Sequence, residues 1–133
     1  MGQINLSGSI TAGPTSGNGG VFPGASMVVP LGFAQNPKGY QRATGILERS
    51  LALGVYTDLG EPGNTVTQAT FLYLRSDAVI DLRLTTDDGV GGNVISVVPV
   101  HGLAMFEFPS TKYLKTLEAL GTGKVEYFLS GQQ

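Results

Sequence analysis

The sequence has no cysteine and no tryptophan, and its single histidine is His101. Without cysteine the chain can form no disulfide, no thiolate metal site and no cysteine nucleophile, so its stability must come from a packed core. A Ser-His-Asp site would depend on His101 alone, and no Gly-x-Ser-x-Gly segment is there to present a serine. We therefore expect a protein without enzymatic activity, without catalytic residues and without a cofactor.

Charged side chains are also scarce, because only 14% of the 133 residues carry one and the formal net charge is -2. Binding to nucleic acid requires a basic surface, which this composition does not supply. The opening MGQINLSGSI lacks the basic and apolar regions of a signal peptide, and no run of about 18 uncharged apolar residues follows it. We expect a soluble protein with neither a nucleic-acid partner nor a membrane partner.

The first charged side chain is Lys38, and the residues before it combine glycine, serine and threonine with several prolines. The segment GPTSGNGG cannot fold alone, whereas VFPGASMVVPLGFA is too apolar to be left in water. We predict an extended arm over residues 1–37 that docks on a neighbouring surface, ahead of a domain over residues 38–133; a disordered leader is the alternative. The candidate interface residues are apolar or aromatic: Ile4, Leu6, Ile10, Phe22, Met27, Phe33 and Tyr40.

Alternation of apolar and polar residues predicts strands from Thr44 onward. The clearest case is AVIDLRLTT, where Ile80, Leu82 and Leu84 share one face of a half-buried strand. The preceding VTQATFLYLRS predicts a separate strand. ILERSLALGVYTD predicts another, whose shared apolar face would hold Leu47, Leu51, Leu53 and Val55.

The last third of the chain continues this pattern. NVISVVPVHGLAMFEFP predicts two strands that are split near His101 and Gly102, and Pro99 favours an edge position or a bulge. YLKTLEALGTGKVEYFLSG predicts two final strands joined through residues 121–123, after one helical turn around Thr111. Roughly seven or eight short strands at intervals of about ten residues predict an all-β fold, an antiparallel β-sandwich of jelly-roll type with an extended Gly-rich N-terminal arm.

The segment TTDDGVGGN places two adjacent carboxylates, Asp87 and Asp88, beside three glycines. A calcium loop would need oxygen ligands at spaced positions and a later carboxylate, and a phosphate loop would need Gly-Lys-Ser or Gly-Lys-Thr. Neither pattern is present. The segment lies between two predicted strands, so we interpret it as a hairpin turn without a metal.

The sequence leaves two other classes of protein open. A carbohydrate-binding module would need an exposed row of aromatic rings, and in the absence of tryptophan it would have to be built from tyrosine. A small hydrolase would need a cleft around His101 with acids within reach. The candidate rings for the carbohydrate-binding alternative are Tyr40, Tyr56, Tyr73, Tyr113 and Tyr127.

Three stretches, TFLYLRSDAVIDLRLT, VISVVPVHGLAMFEFP and YLKTLEALGTGKVEYFLSG, in a cysteine-free chain with a Gly-rich arm, resemble small structural proteins of tailed-bacteriophage virions. Within that group the chain is most like the capsid decoration, or cement, proteins. The resemblance implies a β-sandwich on the capsid exterior, made in the host cytoplasm, that clamps adjacent major capsid proteins and has no catalytic residues. Tail, collar and fibre subunits also combine arms with sandwiches and are the near alternative.

Strands such as VISVVPV are apolar on both faces and need cover from both sides. Together with the low charge fraction, this predicts a homo-oligomer. A trimer is favoured, because the family commonly binds at local three-fold axes, and a dimer is possible.

Overall fold

The computed structural model describes residues 2–12, 27–33, 38–60 and 66–132. The chain divides into two compact units, one formed by Gln3–Gly39 and the other by Met1–Gly2 with Tyr40–Gln133. The predicted arm over residues 1–37 and its docking role stay predictions. The two units are called the smaller unit and the larger unit below.

The smaller unit is built from short paired strands. β1 (Gly2–Ile4) pairs with β4 (Lys38–Tyr40). β2 (Ser9–Ala12) pairs antiparallel with β3 (Met27–Pro30). In this second pair, Ile10 lies opposite Val29. The described part of the uncharged segment therefore satisfies its backbone by pairing strands with each other.

The larger unit is made of strands, with no α-helix among its described residues, so the predicted all-β class is confirmed. The predicted helical turn around Thr111 is present as the 3-10 helix η1 (Ser110–Lys112). The strands are β5 (Arg42–Ala43), β6 (Leu47–Ser50), β7 (Thr57–Asp58), β8 (Gln68–Asp87), β9 (Asn93–Glu107), β10 (Leu114–Gly121) and β11 (Lys124–Gln132).

The long strand β8 organises this unit. β9 runs antiparallel along one side of it, from Asn93 opposite Asp87 to Glu107 opposite Phe71. The other side of β8 is shared: β11 pairs with its first half and β10 with its second half. β5 and β6 then pair with β11, and β7 pairs with β10.

The sheet curls, as the pairing of Leu114 in β10 shows. Leu114 lies opposite two residues of β8, Ala69 and Thr86. The pairing with Ala69 is a parallel bridge. From Thr86 back to Ile80, β8 and β10 run in opposite directions. A straight strand would separate Ala69 from Thr86 by roughly 55 Å at about 3.3 Å per residue, so β8 must turn back on itself. The result is a curled antiparallel sheet.

The bend in β8 is located at residues 77–79, where the register with β9 shifts between Ser76 and Ile80. The Ser76 hydroxyl donates to the Ala78 carbonyl at 2.5 Å and accepts from the Ala78 N–H at 3.3 Å. On the partner strand, Gly102 has a φ of 90°, which a residue with a side chain rarely adopts. A bulge with these local bonds increases twist without leaving polar groups unsatisfied.

The hydrophobic core lies on the concave face of this curled sheet, because the buried residues alternate along β8 and its neighbours. Its members are Leu59, Val66, Ala69, Leu72, Leu74, Ile80, Leu82, Leu84, Val100, Leu114, Leu117, Ala119, Val125, Tyr127 and Leu129. The prediction that Ile80, Leu82 and Leu84 point inward is confirmed.

Two strand predictions are wrong. β8 and β9, each predicted as two strands, are each continuous through a register shift. The segment from Leu47 to Val55 was expected to be a single amphipathic strand, but β6 ends at Ser50. Leu53 and Val55 are 81% and 61% exposed. Gly54, with a φ of 77°, turns the chain between them, and β11 pairs only with the first part of the segment. The apolar alternation there has no partner strand, so it forms no strand.

Candidate functional site

The loop between β8 and β9 is a hairpin turn, as the sequence predicts. Asp88 Oδ1 accepts the backbone N–H groups of Val90 at 2.8 Å and Gly92 at 2.9 Å, and the Asp88 N–H donates to the Gly92 carbonyl at 3.2 Å. Gly89 and Gly91 both have positive φ. The carboxylate of Asp88 therefore holds the turn closed instead of pointing to a ligand.

The second carboxylate of the loop, Asp87, is buried and paired. Its Oδ1 accepts the Gly89 N–H at 2.7 Å, and its Oδ2 lies 3.0 Å from Lys115 Nζ on β10. The Lys115 hydrogen bond and then the Gly89 N–H lower the pKa of the Asp87 carboxyl below its ordinary value. Lys115 Nζ also donates to the Gly92 carbonyl and to Asn93 Oδ1, at 3.1 and 2.8 Å. Across the described residues, no group of three or more His, Asp or Glu is placed to hold a metal ion.

Asp87→Asn is expected to lower stability at neutral pH and to have little effect in acid. The folded-state pKa of Asp87 is depressed, so its contribution is present above the unfolded pKa and lost as the pH falls through the lower folded value. Urea midpoints of the wild type and the variant should differ at pH 7 and converge as the pH falls through the lowered folded-state pKa of Asp87. Adding a chelator should change neither protein; a drop in stability with chelator would contradict the turn interpretation.

An ion pair joins β8 and β10 on the outward face of the sheet. Arg83 donates to both carboxylate oxygens of Glu118, from Nε at 3.0 Å and from a terminal nitrogen at 2.6 Å. This bond lowers the pKa of Glu118. The Arg83 guanidinium also lies 3.8 Å from the centroid of the Tyr56 ring, so one face of that ring is occupied.

Two more of the five tyrosines are engaged. Tyr127 is fully buried in the core. Tyr73 is half-buried and donates its hydroxyl proton to Glu126 Oε1 at 2.9 Å. A sugar-binding platform needs several ring faces that are exposed side by side. The geometry around Tyr56, Tyr73 and Tyr127 does not provide such a row.

A shallow depression of about 220 Å³ lies over β6, β8 and β11. It is lined by Glu48, Arg75, Asp77, Lys124 and Glu126. Lys124 Nζ lies 3.4 Å from Glu48 Oε1, and the Lys124 N–H donates to Asp77 Oδ1 at 2.9 Å. Three carboxylates and two cations line it, so its formal charge is only slightly negative and it has no strong preference for a charged ligand.

The most distinctive surface is the free edge of β9. Within the described residues, β9 pairs only with β8. Its first five residues, 93–97, are all exposed, and His101 is the only ionisable side chain before Glu107. The exposed apolar side chains of β9 are Val94 at 47%, Ile95 at 64%, Val97 at 53% and Leu103 at 56%. We call residues 93–97 the β9 edge segment.

Pro99 identifies the free side of this strand. It lies opposite Asp81 of β8, in the part of β9 where the register is unbroken. Proline has no N–H to give to β8 and is tolerated in a sheet where its nitrogen faces away from the neighbouring strand. The sequence prediction that Pro99 favours an edge is therefore confirmed.

The candidate interface residues lie in different environments. Ile4, Leu6 and Tyr40 are half-buried, Ile10 is 58% exposed and Phe33 is buried. Met27 begins β3, and Phe22 lies outside the described residues. Their role in an interface stays a prediction. The β9 edge segment was not among these candidates. The sequence VISVVPV, which is uncharged, apolar on both faces and contains Pro99, could have indicated an exposed edge there.

No helix in the described part of the chain is long and apolar enough to span a membrane. No family model matches the chain, and searches of curated proteins and of solved structures found no match either.

Proposed function

We propose that this protein is a non-enzymatic structural component of a bacteriophage virion. In this proposal it is a head decoration protein that binds outside the capsid shell and stabilises contacts between major capsid proteins. The virion assignment is supported by the sequence resemblance described above. The role in assembly is supported by the surface of the larger unit, which exposes apolar contact area along β9.

The observation that carries the assembly role is the exposed, uncharged edge of β9. Soluble monomers protect long edge strands with charges, bulges or covering segments, because unpaired N–H and C=O groups recruit other strands. The β9 edge segment has no charged side chain and exposes three apolar ones. Such an edge is suited to a permanent protein contact.

The finer fold belongs to the same proposal. Because Leu114 meets both ends of β8, the two halves of the curled sheet enclose the core, and we propose that they form an antiparallel sandwich of jelly-roll type. A sandwich of this kind is a rigid body. Rigidity suits a protein whose task is to hold two neighbouring subunits at a fixed spacing.

A tail, collar or fibre subunit is the second candidate, and it is favoured by the smaller unit. Its β2–β3 pair exposes Ile10 at 58%, Val28 at 63% and Val29 at 50%, without any charge. An uncharged apolar strand pair of this kind suits a subunit that is linked to its neighbours in series. Location on the particle separates the two candidates.

The test is to purify particles from the host that carries the gene, identify their proteins by mass spectrometry, and locate this chain in an electron cryomicroscopy map. We expect it on the outer surface of the head, next to the major capsid protein. A position on the tail would favour the second candidate. Its absence from intact particles would overturn the virion proposal.

A further inference from the structure

We infer that the β9 edge segment is a self-association site, at which residues 93–97 of one copy pair antiparallel with the same residues of a second copy across a two-fold axis. The two curled sheets would join into one continuous sheet. The inference deepens the proposed function and rests on it in one respect, namely that an assembly protein is expected to bind other copies of itself.

The first step is the choice of edge within the larger unit. β9 has 15 residues, whereas β5 has two, β6 four and β7 two. Those short edges also carry charge, at Arg42, Glu48, Arg49 and Asp58. Short length, charge, proline and bulges all protect an edge strand from pairing. β9 has Pro99, a bulge near Gly102 and Glu107 in its later part, but residues 93–97 carry none of these features.

The second step is the direction of the free backbone groups. In an antiparallel pair, the hydrogen-bonding groups of alternate residues point to the same side of a strand. Pro99 turns its nitrogen away from β8. Residues 93, 95 and 97 are an even number of positions from Pro99, and the register between them is continuous. Their N–H and C=O groups therefore also point away from β8. Within the part of the chain that the structure describes, the segment thus offers three donors and three acceptors that no strand pairs.

The third step is the register. If Ile95 lies opposite Ile95 of the second copy, residue 93 lies opposite residue 97 and every outward N–H meets a carbonyl. Pro99, which has no donor, then lies outside the paired segment. Such a two-fold contact needs no second complementary surface, because each copy supplies the same segment.

The fourth step is the identity of the partner. The segment is uncharged, so pairing two copies brings no like charges together, whereas a charged partner would gain nothing. Val94, Ile95 and Val97 together expose on the order of 300 Å² of surface, divided between the two faces of the sheet because successive side chains point to opposite faces. Two copies could cover at most about 600 Å² of it, which is less than a standard interface, so we expect a weak dimer that forms at high protein concentration. This contact gives a dimer, which the sequence left as the alternative to the favoured trimer.

Cross-linking tests the register directly, because the full-length chain contains no cysteine. In a hydrogen-bonded antiparallel pair the two Cα atoms at position 95 would lie about 5.5 Å apart, within disulfide range. Ile95→Cys should therefore form disulfide-linked dimers under mild oxidation. Val97→Cys should not, because its two copies would be about 14 Å apart along the strand. Val90→Cys, in the exposed loop, is the control for random collision.

Sedimentation of the full-length chain tests the association itself. The wild type should dimerise at concentrations of roughly 10–100 μM. Ile95→Lys places two ammonium groups opposite each other at the axis and should weaken the dimer at least tenfold. Val90→Lys adds the same charge at a side chain that is 89% exposed and should dimerise like the wild type. Ile10→Asp should also leave the dimer intact.

Some outcomes would overturn the inference. These are a wild type that is monomeric at several hundred micromolar, a trimer that Ile95→Lys does not disturb, and a dimer that is lost in Ile10→Asp. Cross-linking of Val97→Cys but not of Ile95→Cys would refute the register. A cross-linked dimer that is never found on particles would instead refute the virion proposal and leave this inference intact, so the two failures are distinguishable.

Discussion

Gly131→Ala is expected to remove most of the stability of the larger unit. Gly131 lies near the end of β11, where the register with β8 shifts after Ser130. A Cβ atom built on it would meet the Gln68 carbonyl oxygen, and would lie 2.8 Å from Ala69 Cα and 2.9 Å from Thr70 N. These are backbone atoms of β8, so the neighbours cannot rotate away. Overpacking against an immovable backbone costs about 3 kcal/mol or more, a large part of the stability of a small domain.

The measurement is urea unfolding of the purified variant, followed by circular dichroism. Gly39→Ala, in the smaller unit, is the control, since a Cβ there meets no atom of the described residues within 4 Å. We expect the midpoint of Gly131→Ala to fall far below that of the control, or the protein to be insoluble. Equal midpoints for the two variants would mean that β11 does not approach β8 as closely as described.

Local features of this fold could be read from the sequence. Period-two alternation marked the inward side chains of β8, and glycines with neighbouring carboxylates marked the turn from Asp87 to Asn93, because both signals depend on residues that are close in the chain. The hairpin through residues 121–123 was predicted for the same reason, and β10 and β11 do flank it. Pro99 correctly indicated an edge.

Features that depend on distant partners could not be predicted. Nothing local to Leu53 says that β11 begins at Lys124, opposite Ser50, so the residues after Ser50 have no partner strand there and form an exposed turn. β8 and β9 were each expected as two strands, whereas each continues through a bulge around Ser76 and Gly102 that keeps the ladder going. The pairing of Asp87 with Lys115 joins groups far apart in sequence and depends on the curl of the sheet. The same curl leaves β9 as a free edge.

The smaller unit gives the second large effect. A chain that begins at Tyr40 is expected to fold, but to be incorporated into particles at least tenfold less than the full-length protein. Folding should survive because every member of the hydrophobic core lies between Leu59 and Leu129. Its urea midpoint and circular dichroism spectrum should match those of the full-length chain, apart from the lost β1–β4 and β2–β3 pairs.

Incorporation should fall because the smaller unit presents apolar contact area that a neighbouring subunit can cover. Ile10, Val28 and Val29 are each at least half exposed, and burying three such side chains contributes on the order of several kcal/mol. Ile10→Asp in the full-length chain should reproduce much of the loss without unfolding, while Val90→Asp should not. Since no residue before Lys38 is charged, binding through this unit should change little between low and high salt, whereas a contact made through ion pairs would weaken. Equal occupancy of the particle by the truncated and full-length chains would make the first 39 residues a leader without a role in assembly, and unfolding of the truncated chain would make them part of the core.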